Sequence, residues 1–237
     1  MEAVAADWAV WLYGSVSRGD ADASSDIDLL VLGDMDDRDL QNLVARNPLL
    51  KQQVESGADL APIRFSWDEA EQMASYGSLF FHHVRSEGQM LEACDNGRST
   101  GLLDQLCPYQ RGQAEMKCFR TVLVDVARAL GRDHSPAFEL SVIATALRHA
   151  FILGCYVQRE PTFGRVTPFH QLASELGLDA ERVEQLGRLY DFRLHQYGRA
   201  QLPFAPDTED ALAWLEVADD LLTRIGRLVD VFYTTMP

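Results

Sequence analysis

Two short apolar runs, separated by small and polar residues, constrain the start of this chain more than any other feature. Residues 8–13 read Trp-Ala-Val-Trp-Leu-Tyr, and residues 26–32 read Asp-Ile-Asp-Leu-Leu-Val-Leu. Runs of this length, bounded by Gly, Ser and Asp, predict buried β-strands. Between them, Gly14-Ser15 opens a stretch with the composition of a loop. The sequence therefore predicts a strand, a loop and a second strand, with polar side chains where the chain turns.

The two aspartates at the start of the second strand predict a metal site. Residues i and i+2 of a strand point to the same side, so Asp26 and Asp28 share one face and Ile27 and Leu29 lie on the other, buried face. Two neighbouring carboxylates repel each other unless a cation lies between them. Mg²⁺ prefers such oxygen ligands, and phosphoryl-type transfers often use two ions roughly 3.5–4 Å apart. We therefore expect Mg²⁺ here, as two ions.

The Gly-Ser pair predicts a phosphate contact. Gly14 lets backbone approach a phosphate without a Cβ in the way, and Ser15 offers a hydroxyl. Arg18 is placed to reach the outer phosphates of a triphosphate. An Asp-x-Asp or a Gly-Ser turn alone is common, but their order between two apolar strands favours a nucleotide-binding function.

This order of features resembles the signature of the polymerase-β-type nucleotidyltransferase superfamily, and more closely the minimal and kanamycin-type nucleotidyltransferases. The motif occupies residues 11–32, and the resemblance extends over about the first 90 residues. It implies that Ser15 contacts a nucleoside triphosphate, most readily ATP, and that Asp26 and Asp28 bind Mg²⁺. It also implies the reaction: an acceptor hydroxyl, on a small molecule or a protein, attacks the α-phosphorus and pyrophosphate leaves.

The same resemblance implies a third metal-binding carboxylate on the next strand, for which Asp59 is the candidate. In many relatives this acid stands about five residues before the Ser that opens the next helix, a position occupied here by Ala61. Asp59 shares a strand face with Ala61 and could reach the metal if Pro62 marks a bulge. Otherwise the alternative is a catalytically impaired nucleotide-binding protein. Asp68 and Glu69 are weaker rivals, because a capping box that begins at Ser66 already accounts for them.

The pattern along the chain predicts an α+β fold, in which a small mixed β-sheet flanked by helices is followed by an all-α bundle. A third strand is expected over residues 59–65, and helices over 36–46 and 48–56. The predicted domains are residues 1–95 and 113–237, with 96–112 as a Gly-containing linker. The bundle should contain five helical stretches: 113–130, 136–158, 168–176, 180–197 and 208–233.

The helical half loosely resembles HEPN bundles, whose ribonucleases carry an Arg followed several residues later by His-x-Tyr. Arg188, His195 and Tyr197 fit this spacing, although Leu189 follows the Arg where a polar residue is usual. The alternatives are a HEPN-type ribonuclease regulated by the transferase, or an amphipathic helix capped by His195 with Tyr197 in the core. Glu115 and Glu139 could act as a base for the acceptor, or lie on a helix surface.

Composition narrows the choice of partners. The net charge of −15 disfavours bulk binding of nucleic acid, and it favours a cationic acceptor. Four widely spaced cysteines, no signal-peptide pattern and no apolar run long enough for a membrane span predict a cytoplasmic protein. The apolar stripe of the last helix is compatible with a homodimer.

Overall fold

The computed structural model describes residues 7–132 and 134–235, in two compact units that divide between Gln110 and Arg111. The prediction that no signal peptide is present concerns the first residues of the sequence, and residues 1–6 lie outside the described part. The first unit is built on a mixed four-stranded sheet and the second is helical, so the α+β class is confirmed.

The sheet of the first unit has the strand order β3-β2-β1-β4. Its strands are β1 (Trp8–Tyr13), β2 (Ile27–Gly33), β3 (Leu60–Phe65) and β4 (Gln89–Cys94). β1 pairs antiparallel with both β2 and β4, and β2 pairs parallel with β3. The strands predicted at residues 8–13, 26–32 and 59–65 are therefore present, with a shift of one residue at the start of the last two.

Six helices accompany this sheet among the described residues, namely α1 (Gly14–Arg18), α2 (Asp37–Arg46), α3 (Pro48–Glu55), α4 (Trp67–Ser75), α5 (Leu79–Glu87) and α6 (Arg98–Asp104). The capping box predicted at α4 is formed, because the Ser66 hydroxyl accepts from the Glu69 N–H while the Glu69 carboxylate accepts from the Ser66 N–H. α1 occupies the first residues of the stretch expected to be a loop.

Both faces of the sheet are covered. Ile27, Leu29 and Val31 of β2 point into one apolar cluster, while Leu30 and Leu32 point into the other. Such alternation follows from the strand period of two, and burial on both sides explains why β2 reads as a continuous apolar run. Asp28 stands at the end of the second of these faces, in line with Leu30.

The segment expected as a linker, 96–112, takes part in the first unit up to Gln110. α6 lies inside it, and Leu103 and Leu106 belong to the same apolar cluster as Trp11 and Leu30. The glycines that indicated a linker lie beside or within the short helix α6. The leucines of this segment nevertheless pack in an apolar cluster. The exact domain boundaries stay a prediction.

The second unit contains α7 (Gly112–Leu130), α8 (Pro136–Val157), α9 (Thr167–Leu172), α10 (Ala180–Gln196) and α11 (Thr208–Thr235). α8 is the central helix, and it packs against the other four. The stripe of α11 is buried at Ala218, Leu222 and Val229 within this unit, so it gives no separate argument for a homodimer.

α8 also has the length and apolar composition of a membrane span, so the prediction that no segment is long and apolar enough is wrong for α8. However, 72% of its apolar window is buried inside the structure, as in the core helix of a soluble protein. We read α8 as the centre of the helical unit.

Candidate active site

Gly14 and Asp28 face each other across the β1–β2 pair. Tyr13 pairs with Asp28 in the antiparallel register, so Gly14 begins α1 directly beside the Asp28 side chain. Gly14 has a φ of +74°, and a Cβ placed there would overlap Asp28 Oδ2 and lie 3.0 Å from its Cγ. Only glycine accepts this conformation easily and leaves room for the carboxylate. The predicted phosphate contact and the predicted metal ligand are therefore neighbours in space.

Tyr13 belongs to an apolar cluster of the sheet and lies close to both Asp26 and Asp28. Its side chain is 5% exposed, and burial, followed by the negative charges of Asp28 and Asp26, raises the pKa of the phenol. The phenol is thus kept neutral next to the carboxylates. Because both aspartates act on Tyr13, they share its side of the sheet, as the alternation along β2 predicts.

Asp59 lies at the corresponding end of the neighbouring strand. β2 and β3 run parallel with Ile27 opposite Leu60 and Asp28 opposite Ala61, and the Ile27 N–H donates to the Asp59 carbonyl at 2.9 Å. The register continues without a bulge through Pro62, which β3 tolerates as an edge strand. Asp59 therefore precedes β3 as Asp26 precedes β2.

The three carboxylates do not form one compact cluster. Asp59 is exposed, whereas Asp26 and Asp28 are partly buried. Within residues 7–132 and 134–235, no three His, Cys, Asp or Glu side chains are grouped closely enough to hold a metal ion. Asp26 and Asp28 offer the hard oxygen donors that suit Mg²⁺, and a bound triphosphate would have to supply further oxygens. The assignment of all three aspartates as ligands stays a prediction.

Arg18 lies between two acids at the end of α1. It contacts Asp20 at 3.1 Å and Glu87 at 2.6 Å. Burial alone would lower the pKa of Arg18, but the hydrogen bonds and charges of Asp20 and Glu87 raise it above the ordinary value. The guanidinium is thus fixed by these two acids at the C-terminal end of α1, and they compete with phosphate for it.

Glu87 is a residue that the sequence analysis missed. Its carboxylate accepts from Arg18 and contacts His83 Nε2, while its carbonyl accepts from the Ser17 hydroxyl at 2.6 Å. The His83 ring stands nearly perpendicular to the Tyr13 ring, with 5.3 Å between centroids. Glu87 therefore fixes α1 from the end of α5. No local pattern could have indicated it, because about 70 residues separate the partners.

Residues 7–73, which include the site from Gly14 to Asp59, lie within a segment of the chain that matches a known protein family. Residues 2–73 match the family model described as the nucleotidyltransferase domain. The start of this chain is a polymerase-β-type nucleotidyltransferase domain. The nucleotidyltransferase domain includes Gly14, Ser15, Arg18 and all three aspartates, and it ends before His83 and Glu87. The search of curated proteins found no match for the chain.

The match supports an enzyme that uses a nucleoside triphosphate, and it does not extend to the helical unit. In that unit, Arg188 is exposed and pairs with Glu184 at 2.6 Å, and His195 Nδ1 lies 3.1 Å from the Ala200 carbonyl. Tyr197 is 56% exposed, so the alternative that placed it in the core is wrong. The HEPN resemblance is not confirmed.

The two candidate bases of the helical unit differ in burial. Glu139 is 4% exposed, so the expectation of a surface position is wrong for it. Burial raises the pKa of the Glu139 carboxyl, and His134, with its Nδ1 3.5 Å away, opposes this rise. Glu115 is partly exposed in the first turn of α7.

Proposed function

We propose that this protein is a Mg²⁺-dependent nucleotidyltransferase that transfers a nucleoside monophosphate from ATP to an acceptor hydroxyl. The observation that carries the proposal is the approach of the Asp28 carboxylate to Gly14 at the start of α1. A metal ligand and a phosphate contact side by side are what a metal–triphosphate complex requires.

Gly14 and Ser15 would bind the triphosphate through backbone and hydroxyl groups. Arg18 would contact the outer phosphates, for which it has to exchange one of its contacts with Asp20 and Glu87. Arg18 and Asp20 are an ion pair of the partly exposed kind that is worth at most about 1 kcal/mol. A triphosphate can therefore compete for Arg18 while Glu87 continues to hold it.

Asp26 and Asp28 would hold Mg²⁺, and Asp59 is the third candidate ligand. When bound, Mg²⁺ supplies positive charge to the phosphate oxygens and to the leaving pyrophosphate. The carboxylates of Asp26 and Asp28 would hold this positive charge at the start of β2. Tyr13 stays neutral beneath them, since burial and both aspartates raise the pKa of its phenol.

In the reaction, the acceptor oxygen forms a bond to the α-phosphorus while the bond to pyrophosphate breaks. The protein contributes mainly by positioning these groups and by balancing their charge. The hydroxyl proton passes to a base, for which Asp59 is the candidate. The acidic chain favours a cationic small molecule or a protein hydroxyl as acceptor over a nucleic acid.

A second candidate function follows from one observation, the exposed position of Asp59 outside any three-ligand group of the described residues. With two carboxylates alone, the domain would bind a nucleotide without transferring it. Transfer that depends on Asp59 would contradict this candidate.

The chain is proposed to work in the cytoplasm. The four cysteines are free, and Cys94 and Cys118 are exposed, which fits a reducing compartment.

The ribonuclease alternative predicts RNA cleavage that is lost in His195→Ala and survives in Asp26→Ala. A homodimer stays a prediction.

The test is incubation with each of the four α-labelled ribonucleoside triphosphates, with Mg²⁺ and a cell lysate as the source of acceptors. Transfer of label in the wild type and its loss in Asp26→Asn/Asp28→Asn would support the proposal. Asp104→Asn, an exposed acid of α6, is the control and should keep the activity. Absence of both transfer and triphosphate binding in the wild type would refute it.

A further inference from the structure

The helical unit contains a cavity of about 400 Å³ between α10, α11 and the segment that joins them. This volume lies within the range of small-molecule sites, roughly 300–1,000 Å³. All of its lining residues belong to the helical unit, so its chemistry is independent of the nucleotidyltransferase domain.

One wall of the cavity is aromatic. Phe192 is buried at its base, and Phe204 stands edge-on to it with 5.2 Å between ring centroids. Phe204 is 46% exposed, although a large apolar ring usually avoids water. Trp214 of α11 adds a second half-open ring to the same lining. These rings offer flat surfaces on which a planar ligand can stack.

The lining also carries hydrogen-bond donors. Arg182, Gln185 and Arg188 follow one another at intervals of three residues on α10, so they lie along one helix face. Among the described residues that line the cavity, none is acidic, although the chain as a whole has a net charge of −15. A guanidinium fork suits a carboxylate or a phosphate.

The side chains that offer hydrogen-bond donors to the cavity have present partners that a ligand could replace. Arg188 pairs with Glu184 at 2.6 Å, and both side chains are mostly exposed. Gln185 donates to Glu181 at 3.2 Å, and the Arg182 guanidinium lies 5.9 Å from the Trp214 ring. Exposed ion pairs within a helix contribute little to stability, so an anion in the cavity can displace them.

A second cavity of the helical unit adjoins this one, and the charges in its lining indicate which end of the site an anion would occupy. It shares Arg182 and Val217, and its other charged lining residues are Asp179, Glu216, Asp220 and Arg224, of which the last two form an ion pair. Three acids outnumber two arginines there, so an anionic group is less favoured at that end than at the end where Arg188 and Gln185 lie. A ring over Phe204 and Trp214 would place its anionic substituent toward those two donors.

From this arrangement we infer that the cavity between α10 and α11 binds a small planar aromatic anion, a single ring system that carries a carboxylate or a phosphate. The ring stacks on Phe204 and Trp214, and the anion binds Arg188 and Gln185. The site exists whether or not the proposed transfer reaction is correct.

The test uses the full chain with the substitutions Asp26→Asn/Asp28→Asn and without Mg²⁺, so that the site of the nucleotidyltransferase domain contributes little. Benzoate, phenyl phosphate and AMP are titrated by calorimetry and by tryptophan fluorescence. Benzyl alcohol and inorganic phosphate test the ring and the charge separately. Trp214 is the one tryptophan after residue 110, so Trp214→Phe identifies its share of the fluorescence change.

We expect saturable binding of at least one aromatic anion, with benzyl alcohol and inorganic phosphate each at least about tenfold weaker. Arg188→Ala should weaken binding about tenfold, because it removes a charge-assisted contact, and Gln185→Ala should weaken it by a smaller factor. Arg128→Ala, which removes an exposed arginine of α7, should leave the affinity unchanged. Tighter binding of benzoate or of phenyl phosphate and AMP distinguishes a carboxylate ligand from a phosphate ligand.

Three results would overturn the inference: no binding of any aromatic anion at millimolar concentration, equal affinity in Arg188→Ala, or binding of phosphate as tight as that of phenyl phosphate. Arg188 is exposed, so its loss should not unfold the protein, and the melting temperature of each variant verifies this. None of these results bears on transfer from a triphosphate.

Discussion

Gly14 and Gly19 form a matched pair that tests the geometry of the site. Both have left-handed backbone, with φ of +74° and +78°, and they stand at the two ends of α1. An alanine at either position therefore meets the same backbone penalty, about 1–2 kcal/mol. The two positions differ only in what a Cβ would contact.

At Gly19 a Cβ would have nothing within 4 Å, whereas at Gly14 it would overlap Asp28 Oδ2 and lie 3.0 Å from Cγ. Ordinary contacts begin at 3.4 Å, so Gly14→Ala forces the Asp28 side chain or α1 to move. An off-rotamer side chain costs a further ~0.5–1.5 kcal/mol. A displacement of about 1 Å at a reacting centre can lower a rate about 100-fold.

We therefore expect Gly14→Ala to lose about 100-fold in transfer from a labelled triphosphate, while Gly19→Ala keeps most of its activity. The thermal midpoints, followed by circular dichroism, should fall in both variants, by roughly 4–8 °C per kcal/mol for a unit of this size. Equal activity in the two variants would refute the close approach of Gly14 and Asp28.

Three further predictions concern residues around this pair. Asp59→Asn should abolish transfer and leave the affinity for the triphosphate within about tenfold of the wild type. Asp68→Asn, which replaces an exposed acid of α4, is the control and should keep both transfer and affinity. Unchanged transfer in Asp59→Asn would remove Asp59 from the mechanism. Glu87→Ala should raise the KM for the triphosphate about tenfold, because it removes one of the two acids that hold Arg18 and loosens α1. Glu71→Ala, which removes one of the two acidic partners of Arg98, is the control. Equal KM values in the two variants would contradict a positioning role for Glu87. His82 is buried, and burial and then the charge of Arg85 lower its pKa to about 4. The unfolded chain then binds a proton at about pH 6.5 that the folded chain binds only near pH 4, so stability should fall as the pH falls through this window. His82→Gln should reduce the slope of stability against pH there by up to one proton, and an unchanged slope would contradict a neutral His82.

The local features of the nucleotidyltransferase domain were readable from sequence because they depend on neighbours along the chain. The strand at residues 8–13, the capping box of α4 and the shared face of Asp26 and Asp28 follow from strand period and side-chain type alone. Pro62 lies in the edge strand β3, and the bulge that would bring Asp59 towards the position of Ala61 is absent from the β2–β3 register.

The other features depend on contacts between distant residues, so no local pattern contains them. Glu87 reaches Arg18 and Ser17 across about 70 residues, and only the folded unit brings them together. Glu139 is buried although a Glu in the first turn of a helix usually faces water, because α8 is enclosed by other helices. α6 formed in a glycine-containing segment because Leu103 finds an apolar cluster.

Calorimetric binding of a triphosphate with and without Mg²⁺ tests the central claim most directly. We expect Mg²⁺ to tighten ATP binding to the wild type at least about tenfold, and we expect that gain to vanish in Asp26→Asn/Asp28→Asn, where no carboxylate remains to hold the ion. The Asp104→Asn control should keep the full gain. An equal gain from Mg²⁺ in the double variant and in the wild type would contradict the assignment of Asp26 and Asp28 as the metal-binding pair.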